Sequence, residues 1–107
     1  WQQAVVSKNI IGMAGFEDLD VWKRAVALSA DVYRTLDKCR DFGFRDQITR
    51  SALSIPSNIA EGMERSSAAD RSKFLEYARG SCGEFRTQAT VGVEAGFIRE
   101  DVASHWL

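Results

Sequence analysis

Residues Asp46–Arg65, DQITRSALSIPSNIAEGMER, decide how this chain folds. Placed at about 100° per residue, Ile48, Ala52, Ile55, Ile59 and Met63 cluster within about 80° of arc, a coiled-coil-like seam. Gln47, Arg50, Ser51, Ser54, Ser57, Asn58 and Glu61 fill a separate arc, built mostly from short polar side chains. The only proline of the sequence, Pro56, stands inside the segment. A proline there removes one backbone donor and crowds the carbonyl of Ala52, which predicts a bend. Nearby serines can satisfy the freed backbone groups. The apolar seam keeps phase across Pro56, so the spacing predicts one kinked helix over about Phe44 to Glu64. The alternative is a new helix beginning near a Ser54 cap.

Outward from this segment the 3.6-residue period continues and strand signals are weak. A first helix is expected over about Glu17 to Cys39, with Trp22, Ala25, Val26, Ser29, Val32, Tyr33 and Leu36 on one broad face. That arc is wide enough for two neighbours. Gly43, with its permissive backbone, is expected to end the connection after it. A third helix is expected over about Ala68 to Ala95. Ser67 and Asp70 form a capping-box variant at its start, and Gly96 stops it. Its seam is Phe74, Ala78, Cys82, Phe85, Ala89 and Gly92. Gly80, Gly83 and Gly92 each cost about 1 kcal/mol against alanine inside a helix, and close helix–helix approach is the usual compensation. A short fourth helix, Asp101 to Leu107, turns Val102, Trp106 and Ala103 inward. The class is all-α: an antiparallel up-down four-helix bundle whose fourth helix is short or truncated.

At 107 residues and 45% apolar content the chain suits one domain with its own core. We divide it into an N-terminal extension, 1–15, and a bundle domain, 16–107. Met13 stands just before the first helical pattern and is expected to be the natural start. No run of 18 apolar residues is present, so no membrane partner is expected. Two cysteines, Cys39 and Cys82, are too few for a disulfide framework and fit buried free thiols in the cytoplasm.

The residues that chemistry needs are missing. His105 is the single histidine, so neither a metal centre nor a Ser-His-Asp arrangement can be assembled. Gly80-Ser81-Cys82-Gly83 lacks the lysine and preceding strand of a phosphate loop. The carboxylate pairs Glu61 with Glu64 and Glu76 with Glu84 suit a solvated face. No cofactor, metal or catalytic residue is expected, and the chain reads as a non-enzyme. The stripe of Gln47, Ser51, Ser54, Asn58 and Glu61 is better explained by contact between subunits, with Glu61 ion-paired, for instance to Arg50 of a neighbour. Glutamates in place of Ser54 and Asn58 are then expected to break an oligomer. The net charge of −1 argues against a strongly basic nucleic-acid binder. Arg71, Arg79 and Arg86 still fall within about 80° on the third helix. They read either as partners of nearby carboxylates or as a row of phosphate contacts that symmetry would extend.

Three runs together carry a resemblance: FEDLDVWKRAVALSADVY at Phe16–Tyr33, DQITRSALSIPSNIAEGMERSS at Asp46–Ser67 and KFLEYARGSCGEFRTQ at Lys73–Gln88. In this order they resemble the bacterial four-helix bundle proteins encoded in intervening sequences of 23S rRNA genes. SIPSNIAEG at Ser54–Gly62 and ARGSCGE at Ala78–Glu84 are the most telling parts. The chain is also similar to the accessory protein of diversity-generating retroelements. The resemblance implies a bundle that assembles into a homopentameric ring, and for the retroelement relative an association with nucleic acid or a reverse transcriptase; taken with the arginine row it leads us to expect binding of RNA or DNA, with Arg50, Arg65, Arg71, Arg79 and Arg86 as contacts. A scaffold whose partner is another protein is the reading set against it. The near-neutral charge departs from the basic surface that nucleic-acid binding would favour.

Overall fold

The structure, a computed structural model, describes residues 15–107. The extension and the expected start at Met13 therefore lie outside the described residues, apart from Gly15. A 3-10 turn, Phe16–Asp18, leads into α1 (Asp20–Thr35), α2 (Phe42–Met63), α3 (Ala68–Glu94) and the short α4 (Glu100–Trp106). The protein is an all-helical four-helix bundle, and the described residues contain no strand.

Helix ends follow local chemistry. Asp41 caps α2 by accepting from the Phe44 N–H at 3.0 Å. The helix therefore starts two residues before the expected Phe44, and Gly43 lies inside it rather than ending the preceding connection. α1 stops at Thr35, earlier than the expected Cys39, and a turn carries the chain to Asp41. Ser67 caps α3 as expected, accepting from the Asp70 N–H at 3.1 Å. α3 ends in a Schellman motif: the Phe97 N–H reaches Gly92 O at 2.8 Å and the Gly96 N–H reaches Val93 O at 3.1 Å. Gly96 takes φ of 82°, a left-handed backbone that glycine adopts without a Cβ penalty.

α2 runs unbroken through Pro56. Ser57 Oγ donates to Leu53 O at 3.0 Å, beside the carbonyl of Ala52 that the proline leaves without its usual donor. The seam predicted for α2 is the core of the molecule: Ile48 and Ala52 are fully buried, and Ile55 and Ile59 nearly so. Met63 is the exception, at the exposed end of the helix. Trp22, Ala25 and Val32 of α1, Leu36 just after it, and Ala78, Phe85 and Ala89 of α3 join this core. Tyr33 faces solvent, 47% exposed, because α1 presents a narrower arc to its neighbours than the sequence implied.

α4 is short but tied at both sides. Ala103 is buried, and Trp106 lies 5.8 Å from the Phe85 ring, centroid to centroid. Trp106 Nε1 also donates to Asp31 Oδ2 on α1 at 2.7 Å. One aromatic residue thus joins the last helix to both the third and the first.

Candidate interaction surfaces of the bundle

The small-polar stripe of α2 lies along α3. Ser51 is 2% exposed, and its hydroxyl meets Gln88 Oε1 at 2.6 Å. The Ser54 and Ser81 hydroxyls meet at 2.5 Å, with Ser54 Oγ also 2.9 Å from Ser51 O. Short side chains let the two helices approach while every hydroxyl finds a partner, which removes the desolvation cost of burying it. Asn58 is half-buried and donates from Nδ2 to Ser54 O at 2.8 Å. Gln47 and Glu61 are exposed at the rim. Ser51 and Ser54, expected at a subunit contact, are therefore occupied within the chain itself. A glutamate at Ser54 would strain the α2–α3 seam before it tested any oligomer.

Gly62 extends the same close approach and escaped the sequence reading as a packing residue. A Cβ there would stand 3.2 Å from Phe74 Cβ and 3.3 Å from Arg71 O. Gly92 meets the expectation set for it: a Cβ would lie 2.5 Å from Ile98 Cδ1 and 2.7 Å from Phe44 Cζ. Gly80 and Gly83 do not, since nothing within 4 Å would meet a Cβ at either. They face outward on α3.

The five arginines are not one row. Arg50 pairs with Asp46 at 3.2 Å, Arg65 with Glu61 at 3.3 Å and Arg79 with Glu76 at 3.8 Å, all within single helical turns at the surface. Glu61 thus pairs with Arg65 of its own chain, and Arg50 with Asp46 rather than with Glu61. Arg71 is half-buried and donates from Nη1 to Arg65 O and Ser66 O at 3.1 and 3.3 Å, which fastens the α2–α3 connection. Arg65 also lies 4.7 Å from the Phe74 ring centre, a cation–π contact at the same corner. Arg79 and Arg86 share one exposed flank of α3, away from Arg50. Exposed ion pairs of this kind are worth about 0–1 kcal/mol, so these guanidinium groups exchange partners easily.

Cys39 and Cys82 are free and half-buried rather than fully buried. Burial pushes the Cys82 thiol up from its ordinary value, and the nearby Arg86 guanidinium partly opposes that. No group of three or more His, Cys, Asp or Glu side chains that could hold a metal occurs among the described residues. No helix among them is long and apolar enough to cross a membrane.

A continuous helix through SIPSNIAEG, packed antiparallel on the ARGSCGE segment, is the arrangement the resemblance implied. The model of the 23S rRNA-intervening sequence protein family matches residues 17–107, the whole of the helical bundle. The chain belongs to this family. A search of curated proteins finds no match to it. The membership fixes kinship over all four helices and assigns no reaction to any residue.

A further surface became visible only in three dimensions. Phe16, Trp22, Val26, Leu53, Pro56, Ser57 and Ala60 line an open cavity of about 340 Å³ between the start of α1 and the middle of α2. Leu53 is 48% exposed at its edge. The sequence signal for it was faint: Leu53 and Pro56 lie outside the α2 seam, and no periodicity announces a concave site.

Proposed function

We propose that the protein is a non-enzymatic building block that assembles with copies of itself into a ring. The observation that carries this reading is the apolar surface left open on its sides. Leu53 is 48% and Tyr77 49% exposed, and both lie mid-helix rather than at a frayed end; Val91, in the last turn of α3, is 51% exposed. Exposed apolar side chains on two different helices offer contact area on more than one side, which an assembly of copies into a ring would use. A homopentamer is the assembly this reading adopts, and the free thiols Cys39 and Cys82 suit the reducing cytoplasm. Light scattering on the purified protein is expected to give a mass several times that of one chain. A single-chain mass at high protein concentration would overturn the proposal.

A second reading adds nucleic acid as the ligand of the assembled ring. It is favoured by the exposed flank of Arg79 and Arg86, which symmetry would repeat around the ring. Binding to a structured ribosomal RNA fragment is then expected to weaken steeply between low and moderate salt. Pull-down with and without nuclease separates this from a protein partner: loss of the captured species after nuclease supports RNA or DNA. Binding that ignores salt would remove the nucleic-acid reading and leave assembly standing.

A further inference from the structure

α4 is too short to be a helix on its own. Its seven residues, Glu100–Trp106, fall below the roughly 12–15 that an isolated helix needs in water. Its N-cap, Arg99, makes no side-chain bond to the first turn, whereas Asp41 caps α2 and Ser67 caps α3. α4 is therefore held by what it touches. Ala103 is buried, Val102 and Trp106 are half-buried, and the other residues of the helix are exposed. The two ends of the segment are fastened differently. On the α3 side, Ile98 is buried against Gly92, and Phe97 packs on Phe44 of α2 with ring centres 5.0 Å apart. At the far end the hold is Trp106, whose Nε1 donates to Asp31 Oδ2 at 2.7 Å and whose ring lies 5.8 Å from that of Phe85. Among the described residues this is the only side-chain hydrogen bond from α4 to another helix. Between the two fastenings stands Arg99, exposed and extended, with φ of −69° and ψ of 142°.

From this asymmetry we infer that α4 is a latch. It lifts about Arg99 and unwinds as one unit while α1, α2 and α3 stay folded, and the Trp106–Asp31 bond is its catch. The catch is placed to release cheaply. The Asp31 side chain is 43% exposed, so water replaces the indole donor when Trp106 leaves. The freed indole N–H is hydrated in the same way. Arg34 lies 3.8 Å from the other oxygen of Asp31, and both side chains keep that exposed contact whether α4 is closed or open. Opening acts mainly on Phe85, which is buried beneath Trp106 in the closed state. A lifted α4 turns one side of that ring to solvent and leaves the α2 seam at Ile48 and Ala52 in place. Local opening of such a unit is the expected behaviour of a segment with few buried contacts. It needs no second copy of the chain, so it stands apart from the self-assembly reading.

Native-state hydrogen exchange on the full chain reads the latch directly. The amides of Ala103 to Leu107 are expected to share one opening constant. Their protection is expected to be about a hundredfold or more below that of Ile48 and Ala52. Trp106→Phe keeps a ring against Phe85 and deletes the donor; Asp31→Ala deletes the acceptor. Each is expected to raise the opening constant of α4 about tenfold and to leave Ile48 and Ala52 within about threefold. The two changes break one bond, so together they are expected to do little more than either alone. Asp31→Asn keeps an acceptor oxygen without the charge and is expected to restore part of the loss. Equal protection in α4 and α2, or a loss in Trp106→Phe that falls equally on Ile48, would show that α4 opens only with the whole bundle and would overturn the inference. Effects of the two variants that multiply in full would overturn the catch. An opening constant that rises on dilution would show that a neighbouring copy holds α4 closed, which would overturn the latch as a device of the single chain.

Discussion

The inner and outer stripes of α3 run side by side for the same five turns, one residue apart, yet they have opposite fates. Along the inner stripe Ala78, Phe85 and Gly92 are buried and Ser81 and Gln88 are hydrogen-bonded to α2. Along the outer stripe every residue from Lys73 to Val91 is exposed. The inner stripe (Phe74, Ala78, Ser81, Phe85, Gln88 and Gly92) has two aromatic rings and no charge, and the outer stripe (Lys73, Tyr77, Gly80, Glu84, Thr87 and Val91) has one ring and two charges; both include a glycine. The charges dispose the outer stripe to solvent, and the partner decides the rest. α2 offers matching short side chains to the inner stripe, while the outer one is left about half exposed at Tyr77, whose ring meets the edge of Phe74 at 5.5 Å, and at Val91. Composition along a helix therefore reports that a face can pack closely, and only geometry reports whether the covering surface is supplied by the same molecule.

The largest test of this contrast truncates one aromatic ring of each stripe. Phe85 is 2% exposed and packs against Trp106, so Phe85→Ala removes a core ring and its partner's support. A loss of about 3–5 kcal/mol is expected in urea unfolding. Tyr77 is 49% exposed and meets only the edge of Phe74 at 5.5 Å, so Tyr77→Ala, measured in the same way on the single chain, is expected to cost about 0.5–1.5 kcal/mol. Comparable losses at both positions would erase the distinction between the stripes.

The glycines come next, and there the sign reverses. Gly92→Ala pushes a methyl group into Ile98 and Phe44, and overpacking of this kind costs about 1–3 kcal/mol. The gain in helix propensity offsets part of that. Gly80→Ala meets open space, so the propensity gain of up to about 1 kcal/mol stands alone and the folded chain is stabilised. Thermal melting of the two variants is expected to move in opposite directions.

Much of this was legible before any coordinates. The phase of Ile48, Ala52, Ile55 and Ile59 through Pro56 gave the continuous α2, and Ser67 and Gly96 marked the ends of α3, because capping is local chemistry. The stripe of Ser51, Ser54 and Asn58 announced close contact, but a pattern on one helix does not say which helix faces it. The sequence reading placed a neighbouring subunit there; Ser51 and Ser54 are bonded to α3 of the same chain, and Asn58 bonds within its own helix. For the same reason Gly62 and Gly92 are packed, whereas Gly80 and Gly83 are open. A helical projection leaves out the loop: Arg71 falls in phase with Arg79 and Arg86, but the turn before α3 brings it onto the carbonyls of Arg65 and Ser66. The cavity at Leu53 joins the start of the chain's helical part, at Phe16, Trp22 and Val26, to the middle of α2, so no single helical period could reveal it.

A smaller test concerns the hydroxyls that join the stripes of α2 and α3. Ser51→Ala leaves Gln88 Oε1 without its 2.6 Å donor at a buried position, and a loss of about 1–2 kcal/mol is expected in urea unfolding. Ser57→Ala removes an exposed hydroxyl bonded only along its own helix, and it is expected to leave stability within about 0.5 kcal/mol. The difference between these two serines, six residues apart on one helix, measures how much of the inner contact is polar.

The smallest expected effect lies at the border of the inner stripe, where Cys82 is half-buried beside Arg86. Burial disfavours the thiolate and raises the thiol above its ordinary value, while the guanidinium favours the thiolate and holds the rise back. The thiolate is the reactive form, so alkylation of Cys82 at pH 8 is expected to be slower than that of a free cysteine peptide. Arg86→Ala removes the opposing charge, so the thiol rises further and the rate at pH 8 falls again. Arg86→Lys keeps the charge and is expected to restore most of it. The direction is set by the sign of the charge, and a faster reaction in Arg86→Ala would show instead that the arginine acts by covering the sulfur. That outcome would place Cys82 within the packed seam rather than at its edge, and it would move the boundary between the covered and uncovered faces of α3 by one residue.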